Sequence, residues 1–145
     1  MSGHSLQDLA ARLEREIDTS RPGVTRLSGL RGSGPALALS RLLEIRRRPV
    51  LVLLPDGGSA EAFASDLRFY LGDRDGSGPL ARRVHYLPGW EVPPFEPLSP
   101  TRETVAARAE GMYHLLQTPD PVVVTTVEAV AQRVLPRATF AQAVT

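Results

Sequence analysis

The chain has 145 residues, 42% of them hydrophobic, and a formal net charge of +1. A single domain of that size buries roughly 68–70% of its unfolded surface, so it needs neither a disulfide nor a metal to fold. The charge balance excludes bulk electrostatic attraction to nucleic acid or to a membrane. All 17 basic residues are arginine, and lysine, asparagine and cysteine are absent, which excludes Schiff-base chemistry, a lysine base, zinc–thiolate sites and thiol catalysis.

Residues 1–22 read as a helical segment. Ser5 and Asp8 make a start resembling a capping box, Leu6, Leu9, Leu13 and Ile17 recur at helical spacing, and Arg21-Pro22-Gly23 ends the run. This N-terminus has no apolar signal core, and no apolar run approaches the ~18 residues of a membrane span. The expectation is a cytoplasmic protein with no membrane partner.

Residues 23–140 read as one module in which strands and helices alternate. Val24–Leu27 is a strand candidate, followed by the glycine cluster Gly29–Gly34. Pro35 then suits the first turn of a helix that carries Leu39, Leu42 and Leu43, with Arg46-Arg47-Arg48 near its C-terminal, partly negative end. Val50–Leu54 (VLVLL) is unbroken apolar sequence, as expected of a strand buried on both faces. Ser59 is the expected cap of the next helix, whose inward stripe is Phe63, Leu67, Tyr70 and Leu71. After the loop 72–78 comes the strand Val84–Leu87, and then Pro88–Pro100, too rich in proline for regular structure.

Ser99 as cap and Pro100 in the first turn predict another helix, burying Val105, Ala109, Met112, Tyr113 and Leu116. Val122–Thr125 is the last clear strand. Thr126 caps a short helix carrying Val127, Val130, Ala131 and Val134, which Pro136 ends. The stretch from Phe140 to Thr145 reads as a strand opening, so 141–145 is assigned to the start of a following domain and the chain to a piece of a larger protein. The expected fold is α/β, a parallel sheet covered on both faces and incomplete at its C-terminal end.

The sharpest local feature is Gly29-Leu30-Arg31-Gly32-Ser33-Gly34-Pro35-Ala36. Gly29 and Gly34 have the spacing of a Walker A loop, which continues with Lys and then Ser or Thr. The lysine neutralises phosphate charge and the hydroxyl holds magnesium. Here Pro35 brings neither a cation nor a backbone N–H, and Ala36 brings no metal ligand. Two readings stand: a tight turn between strand and helix, or a decayed nucleotide site. On either, magnesium-assisted ATP hydrolysis is not expected of this chain, and no cofactor or metal is assigned to it.

Other candidates are weaker. Trp90 and Phe95 could stack on bases or simply anchor their loop, and the scarcity of cations nearby in sequence favours anchoring. Arg46-Arg47-Arg48 with Arg82-Arg83 could meet phosphates or be a solvated helix end. Glu91, Glu96, Glu103, His4, His85 and His114 form no recognisable catalytic or metal-binding motif.

Several segments carry a family resemblance. Gly29–Gly34 is similar to the G-x-T-G-S-G that precedes K-T in UvrB, and Leu54-Pro55-Asp56 with Ala62, Asp66, Leu67, Arg68 and Phe69 resembles that family's second motif region. Val122–Val130 resembles its V-V-V-x-S-V-S-A-I segment. The stretch Leu87–Pro100, with Trp90, Glu91, Pro94, Phe95, Pro97, Ser99 and Pro100, is more specific. It resembles the F-P-x-W-E-x-L-P-Y-(D/E)-x-x-S-P signature of the transcription-repair coupling factor (Mfd) family. The helix after it, from Arg102 to Leu116, matches more loosely.

The resemblance spans about residues 24–140 and implies a degenerate RecA-like module, similar to the first domain of UvrB. That family also has a degenerate phosphate loop here, in keeping with Pro35 and Ala36. The long tyrosine-rich hairpin with which UvrB threads DNA has no counterpart; a short loop with Tyr86, Trp90 and Phe95 stands in its place. For the parent protein the resemblance implies displacement of RNA polymerase stalled at DNA damage and recruitment of UvrA. ATP and Mg would act in later motor domains, double-stranded DNA and polymerase would be held by other domains, and UvrA would be met mainly by the domain that follows. This chain would be a scaffold without chemistry of its own. The alternative is a working ATPase or DNA-binding module of a UvrB-like helicase.

Overall fold

The computed structural model describes residues 11, 15, 23–72, 78–92 and 97–143. Ala11 and Arg15 are helical; the rest of the expected 1–22 segment, the loop 73–77, residues 93–96 and the last two residues lie outside the described set.

The elements run α1 (Gly34–Ile45), β1 (Val50–Leu54), α2 (Gly57–Leu71), β2 (Val84–Leu87), α3 (Arg102–Gln117), β3 (Val122–Thr126), α4 (Val127–Ala131) and α5 (Arg137–Ala143). The sheet is three-stranded and parallel, in the order β1-β3-β2. The chain is therefore α/β, as its alternation of strands and helices predicted.

One face of the sheet is packed along all three strands, whereas the other is covered at β3 and open at Leu51 and Leu53 of β1. Ala60, Ala64, Leu67 and Leu71 of α2 meet Val84, Val122 and Val124, and Ala36 and Leu43 of α1 complete this core. The stripe expected on α2 is present, with small alanines added where helix and sheet approach. Central β3 is buried along its whole length, as a strand with neighbours on both sides and both faces must be.

Several expectations need correction. Val24–Leu27 is not a strand: residues 23–28 have no regular structure and Val24 is 97% exposed. The β propensity of so short a run is realised only where a neighbouring strand supplies a ladder. β1 is not buried on both faces. It is an edge strand, with Leu51 56% and Leu53 48% exposed on the face away from α1 and α2.

The cap of α2 is Asp56, not Ser59; its carboxylate accepts from both the backbone N and the Oγ of Ser59. The cap of α3 is Thr101, whose hydroxyl accepts from Thr104 N, so Ser99 and Pro100 stand outside the helix. α3 buries Thr104, Arg108 and Gly111, not the apolar stripe, and Val105, Ala109 and Tyr113 are exposed. The reason is close approach: a Cβ on Gly111 would sit 3.1 Å from Leu87 Cδ1. Only a residue without a side chain lets α3 lie that near β2. Finally, Phe140–Ala143 belongs to helix α5, with Phe140 buried, and does not open a strand. Alanines at 138, 141 and 143 favour the helix.

The Thr126 cap holds, accepting from Ala129 N, although α4 ends at Ala131, well before Pro136.

Candidate functional site

The glycine loop enters α1 through a tight turn. Gly29 and Gly32 have positive φ, 83° and 55°, a region L side chains rarely adopt. Gly34 N donates to Arg31 O at 2.9 Å and Leu37 N to Ser33 O at 3.0 Å. Pro35 lies in the first turn of α1, as expected. No strand precedes the loop, so the strand–loop–helix context of a phosphate loop is not present among the described residues.

Where a magnesium-binding hydroxyl would sit, the methyl group of Ala36 is packed into the core, 1% exposed. Ser33 Oγ is engaged with the Tyr70 hydroxyl at 2.7 Å, a bond that ties the loop to α2. Beside the loop is a hollow of about 390 Å³ lined by Leu27, Leu30, Pro35, Leu39 and other uncharged residues. The hollow's lining carries no charge, and the Ser33–Tyr70 bond anchors the loop to α2.

The second site is the start of the proline-rich stretch. Trp90 N donates to Gln132 Oε1 at 2.7 Å, and its ring lies 4.4 Å beneath the guanidinium of Arg108. Arg108 Nη1 donates to the carbonyl of Pro88 and, at 3.4 Å, to Gln132 Oε1. Glu91 accepts from the hydroxyls of Thr104 and Thr101. The Thr104 bond, followed by that from Thr101, holds its carboxyl below the usual carboxylate range. Helix α3 thus grips residues 88–91, the strap, through Thr104 and Arg108, one turn apart, while Gln132 closes the grip from the segment after α4.

The expectation of few cations around Trp90 is corrected: one cation is stacked directly upon it. Arg108 is 1% exposed, its Nε and Nη2 have no hydrogen-bond partner among the described residues, and burial pulls its pKa down. Pro97, Ser99 and Pro100 are described but form no part of this grip, and Pro94, Phe95 and Glu96 lie outside the described residues. Sequence reasoning missed Thr104, Arg108 and Gln132. Thr104 and Arg108, spaced i, i+4 on the helix after the strap, were the available signal; Gln132 had none.

The arginine clusters divide. Arg83 Nε donates to Asp120 O at 2.7 Å and its Nη2 to Arg48 O at 3.3 Å, stapling the chain just before β1 to the turn before β3. Among the described residues no group of His, Cys, Asp or Glu could hold a metal ion, and no helix is long and apolar enough to cross a membrane.

Fold and loop together define a small parallel α/β module whose glycine turn leads into a helix without the phosphate-handling residues. By sequence it stands with the transcription-repair coupling factors, as a homologue of one segment of them. The chain is 37% identical to the transcription-repair-coupling factor of Myxococcus xanthus over 145 residues, covering 94% of this chain and 12% of that protein. The factors of Mycobacterium bovis and Mycobacterium tuberculosis are each 32% identical over 139 residues, covering 84% of this chain. The chain thus spans about a tenth of the length of these relatives, 10–12%. No family model matches it, and no solved structure matches it.

Proposed function

We propose that the chain serves as a non-catalytic, RecA-like scaffold module of a transcription-repair coupling factor. The parent protein would release RNA polymerase stalled at DNA damage and recruit UvrA, drawing on ATP and magnesium in other domains. One observation carries the scaffold reading. At the head of α1, Pro35 and Ala36 occupy the two positions that would handle phosphate and metal, and Ala36 is buried in the core. The grip of α3 on the Trp90 strap supports the same reading, since its contacts are made within the module and leave its polar groups turned inward.

The test has two arms. The isolated chain should not hydrolyse ATP with magnesium, and a turnover lost on Gly34→Asp would overturn the scaffold reading in favour of a working ATPase. The chain exchanged for the matching segment of the Myxococcus xanthus protein should preserve whatever polymerase-release activity that protein shows. Loss of that activity with the chimera still folded would count against membership of the same machine.

A further inference from the structure

Helix α1 carries two apolar stripes. Ala36 and Leu43 turn toward α2 and the sheet and belong to the core. Pro35, Ala38, Leu42 and Ile45, spaced i, i+3, i+7 and i+10, lie on a different side of the helix. Ala38 is 3% exposed yet stands outside that core, and Ile45 is 44% exposed. Pro35, Ala38 and Leu42, with Leu27 and Leu30, line the hollow of about 390 Å³ beside the glycine turn.

A stripe of matching length stands earlier in the same chain. Leu6, Leu9, Leu13 and Ile17 recur at i, i+3, i+7 and i+11. On a helix they would span ~16 Å, against ~15 Å for Pro35 to Ile45. Ala11 and Arg15, the described residues of that segment, are helical and exposed. Each lies two residues, about 200° round a helix, from a leucine of the stripe. The side they expose is therefore the one opposite the stripe.

Charge and tether point the same way. Residues 5–19 hold Asp8, Glu14, Glu16 and Asp18 against Arg12 and Arg15, whereas residues 23–48 hold six arginines against Glu44 alone. An acidic segment thus meets a basic surface. Nine residues separate Ile17 from Leu27, enough to reach ~30 Å when extended. Contact between the two stripes is then an intramolecular step, favoured by a high effective concentration.

We propose that residues 5–19 lie as a helix along the Pro35–Ile45 side of α1 and close the hollow with Leu6, Leu9, Leu13 and Ile17. The contact is separate from the open face at Leu51, which points away from α1 and α2. The inference does not depend on the functional reading above.

Limited digestion of the folded chain by trypsin tests it, because Arg12 and Arg15 lie within the segment. Cleavage there should be at least about tenfold slower than in a free peptide of residues 1–22, since only the undocked population is cut. Leu42→Asp and Ile45→Asp, remote in sequence from the scissile bonds, should each speed that cleavage about fivefold or more. Buried Arg108, cut only when the rest unfolds, should stay protected, and Ile45→Asp decides the matter if Leu42→Asp unfolds the chain. Tenfold dilution should leave the rates unchanged. Cleavage of the parent chain at the rate of the peptide overturns the proposal. So does an Ile45→Asp variant cut no faster than the parent, or cleavage that quickens on dilution, which would make a second copy the occupant.

Discussion

The imidazole of His85 on β2 stacks flat against that of His114 on α3, with centroids 4.3 Å apart and planes 9° from parallel. Burial, then His114 and the nearby Arg68, push the pKa of His85 down to about 4, and Glu110 opposes them only in part. The unfolded chain therefore binds a proton at this position that the folded chain refuses. Stability is fully present above about pH 6.5 and falls as the pH drops from there toward 4. Thermal melts across that window should show a falling midpoint, and His85→Gln should flatten the upper part of the slope. An unchanged profile in the variant would remove His85 as its source. The lowered pKa values of Asp56 and Glu91 add acid sensitivity of the same sign, at lower pH.

Truncation of Arg108 tests the grip on the strap. Arg108→Ala removes the stack on Trp90 and the bond to Pro88 and leaves a void in a buried place, so it should destabilise by about 2–3 kcal/mol. Arg108→Met keeps most of the volume and sheds two donor nitrogens that have no partner among the described residues, so it should lie within about 1 kcal/mol of the parent. Equal losses in the two variants, read by urea denaturation, would show that the charge and its bonds matter and the packing does not.

Gly111→Ala pits two opposing effects against each other. Alanine raises helix propensity by about 1 kcal/mol. Its methyl group, however, would sit 3.1 Å from Leu87 Cδ1 and 3.4 Å from Tyr86 O, and overpacking of that kind costs about 1–3 kcal/mol. The backbone oxygen cannot swing aside as a side chain can, so a lower melting temperature is expected. A higher one would mean that α3 rides freely over β2.

The uncovered face should bind an apolar dye. Leu51, Val130 and Val134 are exposed and line the 480 Å³ trough, and patches of this kind mark surfaces that other chains cover. Fluorescence of an anilinonaphthalene dye should rise in the presence of the chain and fall with Val130→Asp. A longer chain that carries the residues following this segment in its relatives should bind less dye and melt higher. Equal behaviour of the two lengths would show the module to be complete by itself.

How far the sequence spoke for the fold depended on whether neighbours in sequence or neighbours in space decide an element. The stripe of α2, the run at β3 and the Thr126 cap were legible because periodicity and capping act over a few residues. The loss of strand 24–27 and the half-exposed state of β1 were not, because an apolar run announces a strand without saying which strand will lie beside it. α3 misled for a related reason. Its apolar residues suggested the buried face, but Gly111 set the contact distance and turned Thr104 and Arg108 inward. Of the candidate site, Pro35 and Ala36 were legible from their positions alone, whereas the partners of Trp90 came from distant segments that spacing could not bring together.

Trp90 is the only tryptophan in the chain, and it sits in the strap and not in the core formed by α1, α2 and the sheet. Intrinsic fluorescence excited at the indole band is therefore a report from one place. Its emission and its quenching follow the separation of the ring from Arg108, while far-ultraviolet circular dichroism follows the helices and strands. When heated, a chain that melts as one unit gives a single midpoint by both probes. A fluorescence midpoint that comes first would mean that the strap peels from α3 while the sheet still stands, making it a separate, weaker unit of unfolding.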